Sequence, residues 1–240
     1  MTLPALESLL IKTAGIFCSF PCPGCGNPLP EGERANSFCR ECKEKIRFIT
    51  PPFCPGCGGE LDGALAVCSK CMREEKRQWL EAVSLFGMEG MGRILLHRFK
   101  FYNTPELARP LARLASEALE RARTEFDVIV PVPLHWTRRF MRGFNQSRLM
   151  ASLISEFTGK PCEGMLARTR MGRIQSRLTR EERKKNLIGA FSLKKGANCK
   201  KRNILLVDDV MTTGSTLSAA SAELLKSGAS AVNVFVLARR

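Results

Sequence analysis

The chain has 240 residues, enough for one α/β domain of ordinary size and a small module, and too few for two full-sized enzymatic domains. Its 38 Lys and Arg against 23 Asp and Glu give a formal charge of +15, which calls for an anionic partner: nucleic acid, a phosphorylated metabolite or an anionic membrane surface. No run approaches 18 uninterrupted apolar residues, so no membrane span is expected, and eleven cysteines without a secretory signal argue against a disulfide framework.

The first twenty residues, "MTLPALESLLIKTAGIFCSF", have an apolar face broken by Glu7 and Lys12 and no basic segment ahead of it. They predict a short amphipathic helix and not a signal peptide, so a cytoplasmic location is the expectation. Eight cysteines then fall in four C-x-x-C pairs: Cys22 and Cys25, Cys39 and Cys42, Cys54 and Cys57, Cys68 and Cys71. Two pairs lie in the identical string "CPGCG", each followed by a plainer pair, which is an internal repeat.

Two residues between thiolates let both sulfurs reach one tetrahedral ion from a single turn, and four thiolates close the site to water. Two structural zinc ions are therefore expected, and pairing within each repeat, Cys22 to Cys42 and Cys54 to Cys71, is favoured over a cross-brace because each repeat is self-sufficient. Their binding free energy replaces a core that so short a segment could hardly build. A redox dithiol would stand once, beside a βαβ pattern, and fits the repeat poorly.

The cysteine pattern ends near residue 75, dividing an N-terminal module (1–75) from a larger domain (76–240). "GRILLHRFKF" and "ELARPLARLASEALERA" carry apolar residues at three- and four-residue spacing and predict helices. Apolar runs at 127–132, 187–193, 204–209 and 231–238 alternate with helical patterns, which predicts an α/β fold with a parallel sheet covered on both faces. Ligands of such sheets sit at the carboxyl ends of the strands.

One of those ends reads "ILLVDDVMTTGSTL". A helix is expected from about Ser215 to Ser227, stopped at Gly228, which makes Met211 to Thr216 a strand-to-helix turn. Small residues there let the backbone close on a phosphate, met by free N–H groups, hydroxyls and the positive end of the helix dipole. A Walker A loop requires a Gly-Lys pair that is missing. A receiver domain shares "ILLVDD" but needs a later aspartate-bearing strand, for which the 31 residues after Asp209 leave no room. The expected ligand carries a phosphate on the turn and a ribose whose hydroxyls donate to Asp208 and Asp209.

"VDDVMTTGST" resembles the phosphoribosyl-pyrophosphate (PRPP) motif of type I phosphoribosyltransferases. "VPVPLHWTRRFMRGFNQS" (130–147) and "RTRMGRIQSRLTREERKKNLIGAF" (168–191) resemble further signature segments of the ComF family, which joins a double zinc ribbon to such a domain. The resemblance implies that Asp208 and Asp209 hold the ribose and that Thr212, Thr213, Gly214, Ser215 and Thr216 cradle the 5′-phosphate. It further implies that Arg138, Arg139 and Arg142 face the pyrophosphate, with Arg142 joining the two aspartates in catalysis. Gln175, Arg183 and Asn186 would belong to a closing loop. Magnesium is the expected companion of PRPP, held mainly by ligand and water oxygens.

Phosphoribosyl transfer to an unidentified acceptor is thus the expected activity. The alternative is a competence module that binds single-stranded DNA or a DNA-processing partner while keeping the PRPP site. Between Arg138 and Arg202 stand 18 Lys and Arg against 4 Asp and Glu, in favour of an anionic partner. With one Tyr and 7% aromatics, a base-stacking groove is not evident. Lys100 and Tyr102, in "FKFYNT", also lie in a segment resembling the family and are read equally well as packing at a helix end.

Overall fold

The computed structural model describes residues 20–30, 37–61, 63, 65–73, 77–101, 105–134, 145–169 and 189–240. The expected amphipathic helix at the N-terminus lies outside these residues. In the ribbon, two short helices, α1 (Arg40–Glu44) and α2 (Ser69–Met72), start at the second cysteine pair of each repeat, with Cys39 and Cys68 at the N-caps and Cys42 and Cys71 inside. Then follow β1 (Ala82–Gly87), α3 (Gly90–Phe101), a 3-10 turn (Pro105–Leu107), α4 (Ala108–Arg121), β2 (Val128–Pro131) and α5 (Gln146–Thr158). A small ribbon of β3 (Leu166–Arg168) and β4 (Phe191–Leu193) precedes β5 (Asn203–Met211), α6 (Ser215–Lys226) and β6 (Ala231–Arg239).

The main sheet has the order β1-β6-β5-β2 and every pairing in it is parallel, as the alternation of runs and helices predicts. Two runs behave differently. "AVSLFG", not among the expected strands, forms edge strand β1. Of the run 187–193, residues 187 and 188 lie outside the described residues, and among the rest 191–193 form a strand that pairs antiparallel with β3 away from the main sheet. Apolarity alone made it look like a central strand, yet its burial is partial after Phe191, as a two-stranded flap requires.

Both faces of the sheet are covered. On one, Val83, Leu85, Ile129, Leu205, Val207, Phe235 and Leu237 pack with α3, α4 and α5 through residues such as Phe99, Leu111 and Ile154. On the other, Val130, Ile204, Leu206, Val234 and Val236 pack with Leu217, Ala220 and Leu224 of α6. Burial of each such side chain contributes about 1.5–3 kcal/mol, which explains why these strands need no polar alternation.

The ribbon straddles the β1 edge. Cys22, Phe38, Cys42 and Ile46 join the first cluster, whereas Cys54, Cys57 and Trp79 join the second. Between the two knuckles, residues 47–49 run along β1 itself: Ile49 N–H donates to Leu85 O (3.0 Å) and Gly87 N–H to Arg47 O (3.1 Å). The opposite edge is occupied in turn by residues 161–163, which exchange backbone bonds with Ile129 at 2.9 Å.

Candidate functional site

The eight paired cysteines converge as two tetrads, Cys22, Cys25, Cys39, Cys42 and Cys54, Cys57, Cys68, Cys71, with the sulfurs of each within 4.8 Å of one another. Backbone N–H groups point at individual sulfurs: Cys39 and Gly24 at Cys22 (3.3 and 3.4 Å), and Cys68 at Cys54 (3.4 Å). Burial pushes the Cys22 thiol up, but the N–H groups of Cys39, Cys25 and Gly24 outweigh it and bring Cys22 down to about 7. Cys68 is likewise held at about 7 against burial, chiefly by the Cys71 N–H. Cys42, Cys57 and Cys71 are pushed the other way by burial and the neighbouring sulfurs, so four soft sulfurs at this spacing, with no open position, call for a bound cation to hold them together as thiolates, which suits structural zinc.

The second constellation forms where β5 leaves the sheet. Val210 and the segment from Thr212 to Leu217 line an open pocket at the N-terminus of α6. Gly214 adopts φ +74°, the left-handed region that glycine enters without strain, and this bend turns the chain from strand into helix. Thr213 Oγ1 and Ser215 Oγ lie 2.9 Å apart, and Ser215 N–H points at Thr213 Oγ1 (3.4 Å). The turn thereby gathers hydroxyls beside a helix end with unshared N–H groups.

Asp208 and Asp209, one residue apart on a strand, face opposite sides of the sheet plane and find different partners. Asp208 Oδ1 accepts from Ser147 Oγ and from Asp209 N–H, both at 2.9 Å. Ser147 reaches it from the first turn of α5, whose start is capped by Asn145 Oδ1 accepting from Ser147 N–H (3.1 Å) and Arg148 N–H (3.4 Å). Burial and the neighbouring Asp209 raise the Asp208 carboxyl to about 7, against the lowering effect of those bonds and of Lys100. Asp209 Oδ2 pairs with Lys100 Nζ at 3.0 Å, both side chains being largely buried. The Lys100 carbonyl in turn accepts from Gln146 Nε2 (3.3 Å).

The structure thus brings Asp208, Asp209, Thr212, Thr213, Gly214, Ser215 and Thr216 to the carboxyl end of β5. Arg138, Arg139, Arg142, Gln175, Arg183 and Asn186 lie outside the described residues. Three contributors carried no assigned role in the sequence reading. Ser147 orients Asp208; Lys100, left between function and packing, is a counter-ion; and Arg77 donates through Nη1 to Thr213 O at 2.8 Å. Among the described residues no helix is long and apolar enough to cross a membrane.

Residues 16–72 match the family model described as "Double zinc ribbon domain". The chain is 34% identical to "Competence protein F" of Haemophilus influenzae over 93% of its own length and 98% of that protein. It is 34% identical to "DNA utilization protein YhgH" of Escherichia coli K12 (90% and 95%) and 32% identical to "Competence protein ComFC" of Bacillus subtilis 168 (84% and 83%). Solved structures similar to it include a glutamine PRPP amidotransferase from B. subtilis (19% identity, 59% of this chain and 30% of that one, TM-score 0.41). Another is the adenine phosphoribosyltransferase of Leishmania tarentolae (13%, 70% and 94%, TM-score 0.41).

Proposed function

The chain belongs to the competence protein F family, and from that premise we propose that it binds PRPP at the carboxyl end of β5 and transfers the phosphoribosyl group to an acceptor, releasing pyrophosphate. One observation carries the reading: a carboxylate pair and a hydroxyl-rich, glycine-bent helix N-terminus stand side by side at the ligand end of a parallel sheet. A lone phosphate needs only the turn. A ligand bearing hydroxyls one sugar away from its phosphate uses both.

In this reading the Thr212 to Thr216 turn holds the 5′-phosphate through backbone N–H groups and hydroxyls. Asp208 and Asp209 accept from the ribose 2′ and 3′ hydroxyls. Transfer breaks the C1′–O bond to pyrophosphate while the acceptor bonds to C1′, so charge builds on the leaving group and on the oxocarbenium-like ribose; orientation and electrostatics supply the acceleration. Arg138, Arg139 and Arg142 are assigned to the pyrophosphate, and Gln175 and Arg183 to the loop that shuts out water. Magnesium, which would be held mainly by ligand and water oxygens near Asp208 and Asp209, would supply positive charge to neutralise the leaving group. Lys100 holds Asp209 against a buried, uncompensated charge until ligand arrives.

Titration calorimetry of zinc-loaded protein with PRPP and magnesium tests binding, and a screen of nucleobases and amines for pyrophosphate release tests transfer. Binding that survives Asp208→Ala with Asp209→Ala would sink the assignment.

A second reading has its own support. Relatives are named for competence and DNA utilization, and the 138–202 segment is strongly basic. Here the PRPP site serves a module that engages single-stranded DNA, with affinity falling steeply as salt rises. Lack of affinity for single-stranded DNA at low ionic strength removes this version.

A further inference from the structure

The second cysteine tetrad is connected to the phosphate turn by three successive contacts. Pro55, between Cys54 and Cys57, offers its carbonyl to Trp79 Nε1 at 3.2 Å. The Arg77 guanidinium stacks over the Trp79 ring, 5.4 Å from its centroid. Arg77 Nη1 then donates to Thr213 O at 2.8 Å. The fit is close at the far end too: a Cβ on Gly214 would stand 3.0 Å from Arg77 Nη1 and 3.1 Å from Trp79 Cη2. Trp79 is only 7% exposed and shares its cluster with Cys54, Cys57, Met211 and Leu217, so the relay is packed and not draped on the surface.

We propose that Arg77 and Trp79 are positioning residues that couple metal loading of the Cys54, Cys57, Cys68, Cys71 tetrad to the shape of the anion-binding turn from Thr212 to Thr216. The zinc-bearing knuckle fixes the Pro55 carbonyl; that carbonyl orients the indole; the indole face holds the guanidinium; and the guanidinium pins the carbonyl that precedes Gly214. An Arg is required in the third place, because its planar cation both stacks on a ring and donates in its own plane, which a Lys ammonium does not do. Coupling of this kind is reciprocal: whatever factor zinc adds to anion affinity, the anion adds to zinc affinity. The proposal rests on the phosphate reading of the turn.

Two readouts test it on the full-length, zinc-loaded chain. In hydrogen exchange, Arg77→Ala and Trp79→Phe are expected to speed exchange of the 212–216 amides several-fold. The Phe variant keeps an aromatic ring but removes the Nε1 donor together with part of the indole's bulk. In the second readout, PRPP with magnesium slows loss of zinc to a chromophoric chelator, for one of two equivalents, by about fivefold or more. Trp79→Phe abolishes that slowing. Unchanged turn amides in both variants, or PRPP that binds without slowing either zinc, overturns the coupling. A turn that loosens in the variants while PRPP fails to bind leaves the relay standing and sinks the PRPP reading instead. Should Arg77→Ala not fold, Trp79→Phe and the wild-type zinc kinetics carry the test.

Discussion

Replacing Gly214 by Ala puts the smallest possible side chain at the bend of the phosphate turn. The backbone there has φ +74°, where a Cβ costs an L-residue about 1–2 kcal/mol. The added methyl would also lie 3.0 Å from Arg77 Nη1 and 3.1 Å from Trp79 Cη2, tighter than most Cβ contacts, so a neighbour must give by a few tenths of an ångström. The indole is buried and cannot swing away, so the guanidinium must, weakening its 2.8 Å bond to Thr213 O. A hydrogen bond to a charged group contributes about 1.5–3 kcal/mol, and partial exposure of Arg77 argues for the lower figure, so the variant should lose about 3 kcal/mol in all. For a chain of this size that lowers Tm by roughly 6–12 °C. PRPP affinity falls in parallel, about tenfold for each ~1.4 kcal/mol needed to restore the turn on binding. Differential scanning calorimetry and a PRPP titration on the same sample read both numbers. An Ala variant with wild-type Tm and wild-type affinity would refute the left-handed bend and the close approach together.

Lys100→Met leaves Asp209 with a largely buried, unpaired carboxylate and should cost about 3–5 kcal/mol, with Lys100→Met plus Asp209→Asn recovering most of it; chemical denaturation measures both. Because burial and Asp209 raise Asp208 to about 7, the folded chain retains a proton there that the unfolded chain releases near the usual carboxylate value. This contribution to stability is therefore present at acidic pH and lost as pH rises through about 7. Ribose hydroxyls need the ionised carboxylate as acceptor, so PRPP affinity should rise about tenfold between pH 6 and pH 8, a profile that Asp208→Asn flattens in titrations at constant magnesium. Stripping zinc with a chelator should unravel the ribbon, read as new proteolytic cleavage within residues 20–73, since its folding free energy comes from the metal.

Much of the molecule could be read from local sequence. Spacing in "CPGCG" and its plainer partners anticipates which cysteines converge, because a tetrahedral ion demands nearby pairs. The glycine and hydroxyl run after "ILLVDD" anticipates the bent turn and the start of α6, since both depend on residues a few positions apart. Contacts across long stretches of chain left no such trace. Ser147 meets Asp208 from 61 residues away, and Arg77 meets Thr213 across 136. Neither pair has a periodicity or motif; only the sheet order, with β5 beside β2 and the following helix α5, brings the serine into range. β1 escaped notice for a related reason: its partner β6 is the last strand, so its pairing leaves no mark on the residues near it in sequence.

The cover over β1 has a consequence for the life of the protein in a cell. Residues 47–49 engage the Leu85 carbonyl and the Gly87 amide on the outward edge of that strand, and they hang between two metal-dependent knuckles. A chain synthesised under zinc starvation would display the apolar strand Ala82–Gly87 with its hydrogen-bonding edge bare. Such an edge is a template for pairing with any neighbouring chain. Metal supply would then govern solubility and turnover as well as binding, and unmetallated copies would be cleared as aggregates or by proteolysis before they could compete for ligand.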